Sequence, residues 1–167
     1  IADAAGVPPG ILSVLPGKGS IVGEALVRHP LVKRIAFTGG TAVGKGIARA
    51  AVDKLMPVSL ELGGKSPTIV CADADLDHAV AGVLFGIFSS SGESCIAGSR
   101  AFVHASRYAD FKRRLLEGAA RLRVGDPARP ATQMGPLVNQ AHRASVERYV
   151  ALGLEEGGRL LAGGARP

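Results

Sequence analysis

An α/β fold is what this sequence predicts, and three observations predict it. Short β-branched apolar runs alternate along the chain with longer stretches whose apolar residues recur at helical spacing. Gly- and Pro-rich turns join the two kinds of segment. The composition, 47% hydrophobic and 20% charged, is that of a folded chain able to bury a core.

The opening is punctuated by Gly6-Val7-Pro8-Pro9-Gly10 and Pro16-Gly17-Lys18-Gly19, turns around the apolar run Ile11 to Leu15. Ile21, Val22, Ala25 and Leu26 predict a helix over about 20–28. A strand over 34–38 follows and runs into Gly39-Gly40-Thr41-Ala42-Val43-Gly44, then a helix to about Leu55. Strand, Gly-rich turn, helix is the order of a nucleotide-binding unit. Pro57 to Leu60 reads as the next strand and ends at Glu61. Leu62-Gly63-Gly64-Lys65-Ser66-Pro67 is a bend and marks a domain junction, with one domain over 1–62 and a second over 63–167.

Thr68 to Cys71 is a strand by its β-branched apolar residues. Asp73 and Asp75 stand where helix caps belong, and Leu76, Ala79, Val80, Val83, Leu84 and Ile87 predict a deeply buried helix. Four serines and a glycine in Ser89-Ser90-Ser91-Gly92-Glu93-Ser94-Cys95 predict a loop. A strand resumes over 100–104. Ser106 is a candidate cap for a helix to about Leu122, and Asn139 for one to about Glu156. Gly125-Asp126-Pro127 and Met134-Gly135-Pro136 connect them.

Composition narrows the function classes. Two cysteines make no disulfide framework, and without CxxC or zinc-spaced histidines no metal site is expected. That cysteine usage suits a reducing, cytoplasmic setting. No apolar run reaches membrane-span length, so no membrane partner is expected. The net charge of +6 comes from scattered residues; the one cluster, Lys112-Arg113-Arg114, reads as a solvated helix face. Aromatics are only 4% of the chain, too few for base stacking, so nucleic acid is not an expected partner. The chain opens on Ile1 rather than Met, so an upstream segment is expected.

Three segments carry candidate chemistry. Glycines between a strand and a helix, as in Phe37-Thr38-Gly39-Gly40-Thr41-Ala42-Val43-Gly44, let a phosphate reach amide N–H groups at the positive helix end. The turn is not GxGxxG, and a plain tight connection is the alternative. Glu61, at a strand end beside two glycines, is placed to approach a water as a general base, or else is an ordinary exposed glutamate. Cys95, after a Ser/Gly loop, is placed to attack an electrophilic carbon, or else is a small buried residue. Cys71, inside an apolar run, fits burial and takes no role.

Together the segments Phe37 to Gly44, Glu61-Leu62-Gly63-Gly64-Lys65-Ser66-Pro67 and Gly92 to Cys95 resemble the aldehyde dehydrogenase superfamily, in the family's order. The resemblance runs from Pro16 to the Met134-Gly135-Pro136 turn and is most specific at Glu61 to Pro67. It departs at Gly40 for a common Ser, Ala42 for Glu, Ser90 for Asn and Glu93 for Gln. It implies the second half of a Rossmann-like cofactor domain joined to the start of an α/β catalytic domain, about a third of a typical member.

By the same likeness Cys95 is the nucleophile that forms a thiohemiacetal and then a thioester, and Glu61 activates the hydrolytic water. NAD or NADP is the implied cofactor. Thr38, Gly39 and Leu62 would lie near its nicotinamide, Gly40, Thr41, Val43 and Gly44 along its pyrophosphate, and Gly17 and Gly19 toward its adenine. Ser94 and Ile96 would border the aldehyde channel. The whole enzyme would be a cytoplasmic homo-oligomer, dimer or tetramer, acting on a small aldehyde. Two alternatives stand beside this reading: a truncated, non-catalytic nucleotide-binding fragment, and a CoA-acylating aldehyde dehydrogenase.

Overall fold

The computed structural model describes residues 1–166. The chain is α/β and divides into two compact units, Ile1–Gly63 and Gly64–Pro167. Each is built on a strand–helix–strand crossover with its two strands parallel.

In the first unit a π-helical turn, Gly19–Gly23, leads into α1 (Glu24–Arg28). β1 (Ile35–Gly39), α2 (Thr41–Val52) and β2 (Val58–Leu62) follow. Val27, Ile47, Ala51 and Met56 form the buried interior. The Lys54 ammonium donates to the carbonyls of Val27 and His29 at 3.0 and 2.8 Å, which satisfies acceptors at the end of α1. The glycine turn is shorter than its sequence suggests. Gly39 still belongs to β1, Gly40 is the single residue between strand and helix, and α2 begins at Thr41. Gly44 therefore lies inside the first turns of the helix and is buried; a Cβ there would come within 2.7 Å of the Leu62 side chain. Its missing side chain is what lets α2 lie close to β2.

In the second unit β3 (Pro67–Val70), α3 (Leu76–Phe88) and β4 (Arg100–Val103) are followed by α4 (Ala105–Ala120) and α5 (Gln140–Glu155). Pro67 takes the first position of its strand, where a missing N–H costs least. Val70, Leu76, Val80, Val83 and Phe111 make the core, each burial worth roughly 1.5–3 kcal/mol for a side chain of this size.

Three expectations are corrected here. α3 is buried along one face only, and Phe85 is 78% exposed. A continuous apolar run suggests burial all round, but β3, β4 and α4 pack against one side. Cys71 is exposed, not buried, because β3 stops at Val70 and the chain turns outward. The cap of α4 is His104, not Ser106. Its Nδ1 accepts from the Ser106 N–H at 3.3 Å and lies 2.9 Å from the Ser106 hydroxyl, so the imidazole takes the place a serine oxygen was expected to fill. Of the Lys112–Arg114 cluster only Arg113 is exposed, while Lys112 and Arg114 are half-buried, and Arg113 and Arg114 pair with Asp110, Glu117 and Asp77.

Asp75 caps α3 as its position foretold; Asp73 does not. The Asp75 carboxylate accepts from the N–H groups of His78 and Asp77 at 3.0 and 2.9 Å. The His78 N–H is the main reason its carboxyl titrates below the usual range. The sign follows from linkage. A depressed carboxylate adds stability above its unfolded titration, and that stability is lost as pH falls through the folded one. We expect amide protection at Asp77 and His78 to drop in acid, and the drop to vanish in Asp75→Asn. Protection in the native chain that stays flat while Asp75 titrates would contradict the capping role. Residue-resolved hydrogen exchange against pH reads this directly.

Candidate active site

In a parallel pair the ends of the strands from which helices depart form an open edge, and ligands of α/β proteins bind there. The register of β1 with β2 sets Thr38 beside Glu61 and Gly39 beside Leu62 at that edge. Thr38 and Glu61 are both exposed. Strand alternation explains this, since Phe37 and Leu60, one residue earlier, face the other way and are partly buried.

The N-terminus of α2 opens at the same edge. Gly40 is its N-cap and makes no side-chain cap bond. The first N–H of α2 to find a backbone acceptor at its start is that of Gly44, donating to Gly40 at 3.0 Å. The preceding amides have no partner inside the helix and stand at its positive end. A Cβ on Gly40 would project into open space, so room for a ligand lies directly before these amides. Such a helix end can donate to a phosphate or another anion. Thr41 and Val43 are exposed on the first turn of α2, and Gly17 and Gly19 are exposed before α1.

The Cys95 segment belongs to the second unit. Ser89–Gly92 form a 3-10 turn in which Ser90, Ser91 and Gly92 all have left-handed backbone, with φ of 51°, 56° and 77°. Glycine adopts this freely, but each serine costs roughly 1–3 kcal/mol. Such strain persists only where surrounding contacts hold it, and here it lies just ahead of the cysteine. Glu93 closes the turn by donating its N–H to Ser90 at 3.0 Å. Ala97 then donates to Ser94 at 3.1 Å across Cys95 and Ile96, and Ala97 is buried. Beyond it Gly98 passes so near β3 that a Cβ would come within 2.5 Å of the Thr68 hydroxyl. Arg100 fastens the exit, its N–H donating to Ser66 at 3.3 Å and its Nε to Lys65 at 2.8 Å.

Cys95 is exposed, and so is Ile96, while Ser94 is partly buried. The Cys95 thiol is free, on a hydrogen-bonded turn. The structure thus gathers Thr38, Gly39, Gly40, Thr41, Glu61 and Leu62 at one strand edge. Ser94, Cys95 and Ile96 lie together on a turn of the other unit. Among the described residues no group of three or more His, Cys, Asp or Glu is arranged to hold a metal. None of the described helices is long and apolar enough to cross a membrane.

Sequence reading missed two residues that touch the cysteine turn. Ser91 Oγ donates to the Gly135 carbonyl at 3.2 Å, and His142 Nε2 lies 3.1 Å from Glu93 Oε1. Partners so far apart along the chain leave no local signal.

Comparison with known proteins bears on this arrangement. A family model described as the aldehyde dehydrogenase family matches residues 1–167. The 5-carboxymethyl-2-hydroxymuconate semialdehyde dehydrogenase of Escherichia coli is 49% identical over 164 residues, 98% of this chain and 34% of that protein. PnpE, solved in complex with nicotinamide adenine dinucleotide, is 42% identical with a TM-score of 0.96, over 99% of this chain and 34% of its own. HpcC from Thermus thermophilus is 46% identical with a TM-score of 0.95, over 99% of this chain and 32% of its own. The chain spans about a third of the length of the relatives it matches.

Proposed function

The chain belongs to the aldehyde dehydrogenase family, and from that premise we propose that it carries the nucleophile and general base of an enzyme that oxidises an aldehyde to a carboxylic acid. The cofactor is NAD(P), in keeping with the family and the NAD complex of PnpE. The observation that carries the reading is the exposed Cys95 thiol on a strained, hydrogen-bonded turn.

The Cys95 thiolate attacks the aldehyde carbon; a C–S bond forms and the carbonyl electrons move to oxygen. The backbone N–H of Cys95 and an asparagine supplied from outside this chain hold that oxyanion. NAD(P), when bound, supplies the acceptor for the hydride that leaves the same carbon. Glu61 takes a proton from water as its oxygen adds to the resulting thioester. The C–S bond then breaks, the acid departs, and the sulfur is free again. With NAD(P) bound, Thr38, Gly39 and Leu62 would hold its nicotinamide end, Gly40, Thr41, Val43 and Gly44 its pyrophosphate, and Gly17 and Gly19 would lie toward its adenine. Ser94 and Ile96 border the substrate.

The substrate we propose is a semialdehyde bearing carboxylate groups, the class named for the E. coli relative. The parent molecule is a cytoplasmic homo-oligomer in this proposal, and the isolated chain has no turnover. The presence of Glu61 favours hydrolysis over transfer to CoA.

A chimera tests the assignment. This chain replaces the matching segment of the E. coli relative, and cofactor reduction is followed with that relative's semialdehyde. We expect aldehyde-dependent reduction by the chimera and none by the isolated chain. A folded chimera that binds NAD(P) yet reduces none would refute the catalytic reading, and robust turnover by the isolated chain would refute its inactivity.

A further inference from the structure

We propose that Glu93 and His142 form a clasp that positions the Cys95 turn; the inference rests on the reading of Cys95 as nucleophile. The left-handed stretch Ser90-Ser91-Gly92 contains two residues with a Cβ, so on its own it would relax to ordinary backbone. Two side-chain contacts oppose that. Ser91 Oγ donates to the Gly135 carbonyl at 3.2 Å, and Glu93 Oε1 meets His142 Nε2 at 3.1 Å.

Both partners are themselves fixed. Gly135 follows Met134, whose carbonyl accepts from Gly125 at 3.0 Å and whose N–H donates to Arg123 at 3.2 Å. The same loop is tied by Gln133 to Arg123 at 2.8 Å and by the Thr132 hydroxyl to Asp126 at 2.7 Å. His142 stands in the first turn of α5, where its N–H donates to the Asn139 cap at 2.8 Å. The imidazole therefore starts from an anchored backbone.

The consequence for the sulfur is geometric. On one side of Cys95 the clasp holds Glu93. On the other, Ala97 is buried and Gly98 lies against Thr68. Only Ser94, Cys95 and Ile96 span the two anchors, too few to wander while the hydrogen bond between Ala97 and Ser94 is kept. The clasp also occupies the Glu93 carboxylate, the one carboxylate in the turn, with a donor on α5. The imidazolium, or the neutral ring in its Nε2–H tautomer, donates to that oxygen, and the Oε1 of a Gln at 93 would accept the same bond.

The test uses the full chain with two readouts: amide exchange of residues 89–97 relative to α4, and alkylation of Cys95 by iodoacetamide relative to Cys71. In Glu93→Ala and in His142→Ala, exchange of the turn should quicken, and the Cys95:Cys71 ratio should fall, each roughly two- to fivefold. The double variant should go no further than either single one, and Glu93→Gln should stay near the native values. Unmoved exchange and ratio in both single variants would overturn the clasp. So would losses that multiply in the double variant, or an α4 that loosens as much as the turn. In the chimera, Cys95→Ala with full turnover would sink the nucleophile and the positioning role together. Lost turnover in that variant alongside an unmoved turn would sink the clasp alone.

Discussion

Cys95→Ala in the chimera is expected to cut aldehyde oxidation roughly 10,000-fold or more while NAD(P) still binds. The loss is that large because covalent attack is the first bond-making step, and alanine offers no electron pair. The serines that crowd the turn do not substitute, since a hydroxyl without an adjacent base is a poor nucleophile. Cys71 does not substitute either: it is exposed, but it follows β3, outside the ordered turn. Cys71→Ala should therefore leave turnover near the native rate, which makes it the matched control. Steady-state cofactor reduction and an equilibrium titration with NAD(P) decide the matter. Turnover within roughly tenfold of native in Cys95→Ala would move the nucleophile elsewhere.

Glu61→Gln is expected to slow steady-state turnover roughly 100- to 10,000-fold. A first burst of reduced cofactor, one per site, should survive. Glutamine keeps the size of the side chain at the end of β2, so the pairing of Thr38 with position 61 persists. What it loses is the ability to take a proton from water. The thioester then accumulates on Cys95, and only its release is slow. Rapid-mixing measurements separate the two phases. A burst that disappears along with the turnover would place Glu61 in the first half of the reaction. Full steady-state turnover sustained by added CoA would point to acyl transfer in place of hydrolysis.

Much of the local structure was legible in the residues. Asp75 and Asn139 were readable as caps because each bond spans only two or three residues. The order strand, glycine turn, helix, strand, glutamate was equally plain, and so was a cysteine in a Ser/Gly loop. Where a neighbour intervened, the reading slipped. His104 displaced Ser106 as the cap of α4 because its imidazole reaches the same N–H. Gly44 read as part of the turn because a glycine's presence does not reveal which wall it lies against.

The sequence by itself determined the chemistry: a glycine-opened helix end, a carboxylate at a strand end and a thiol in a loop. Those choices depend on residue type and near spacing, which one dimension records. Only tertiary structure decided that Thr38 flanks Glu61, that Phe85 stays exposed, that Ser91 meets Gly135 and that Glu93 meets His142. These contacts join residues tens of positions apart. Their energy depends on which surfaces meet, and that is known only once the chain has closed on itself.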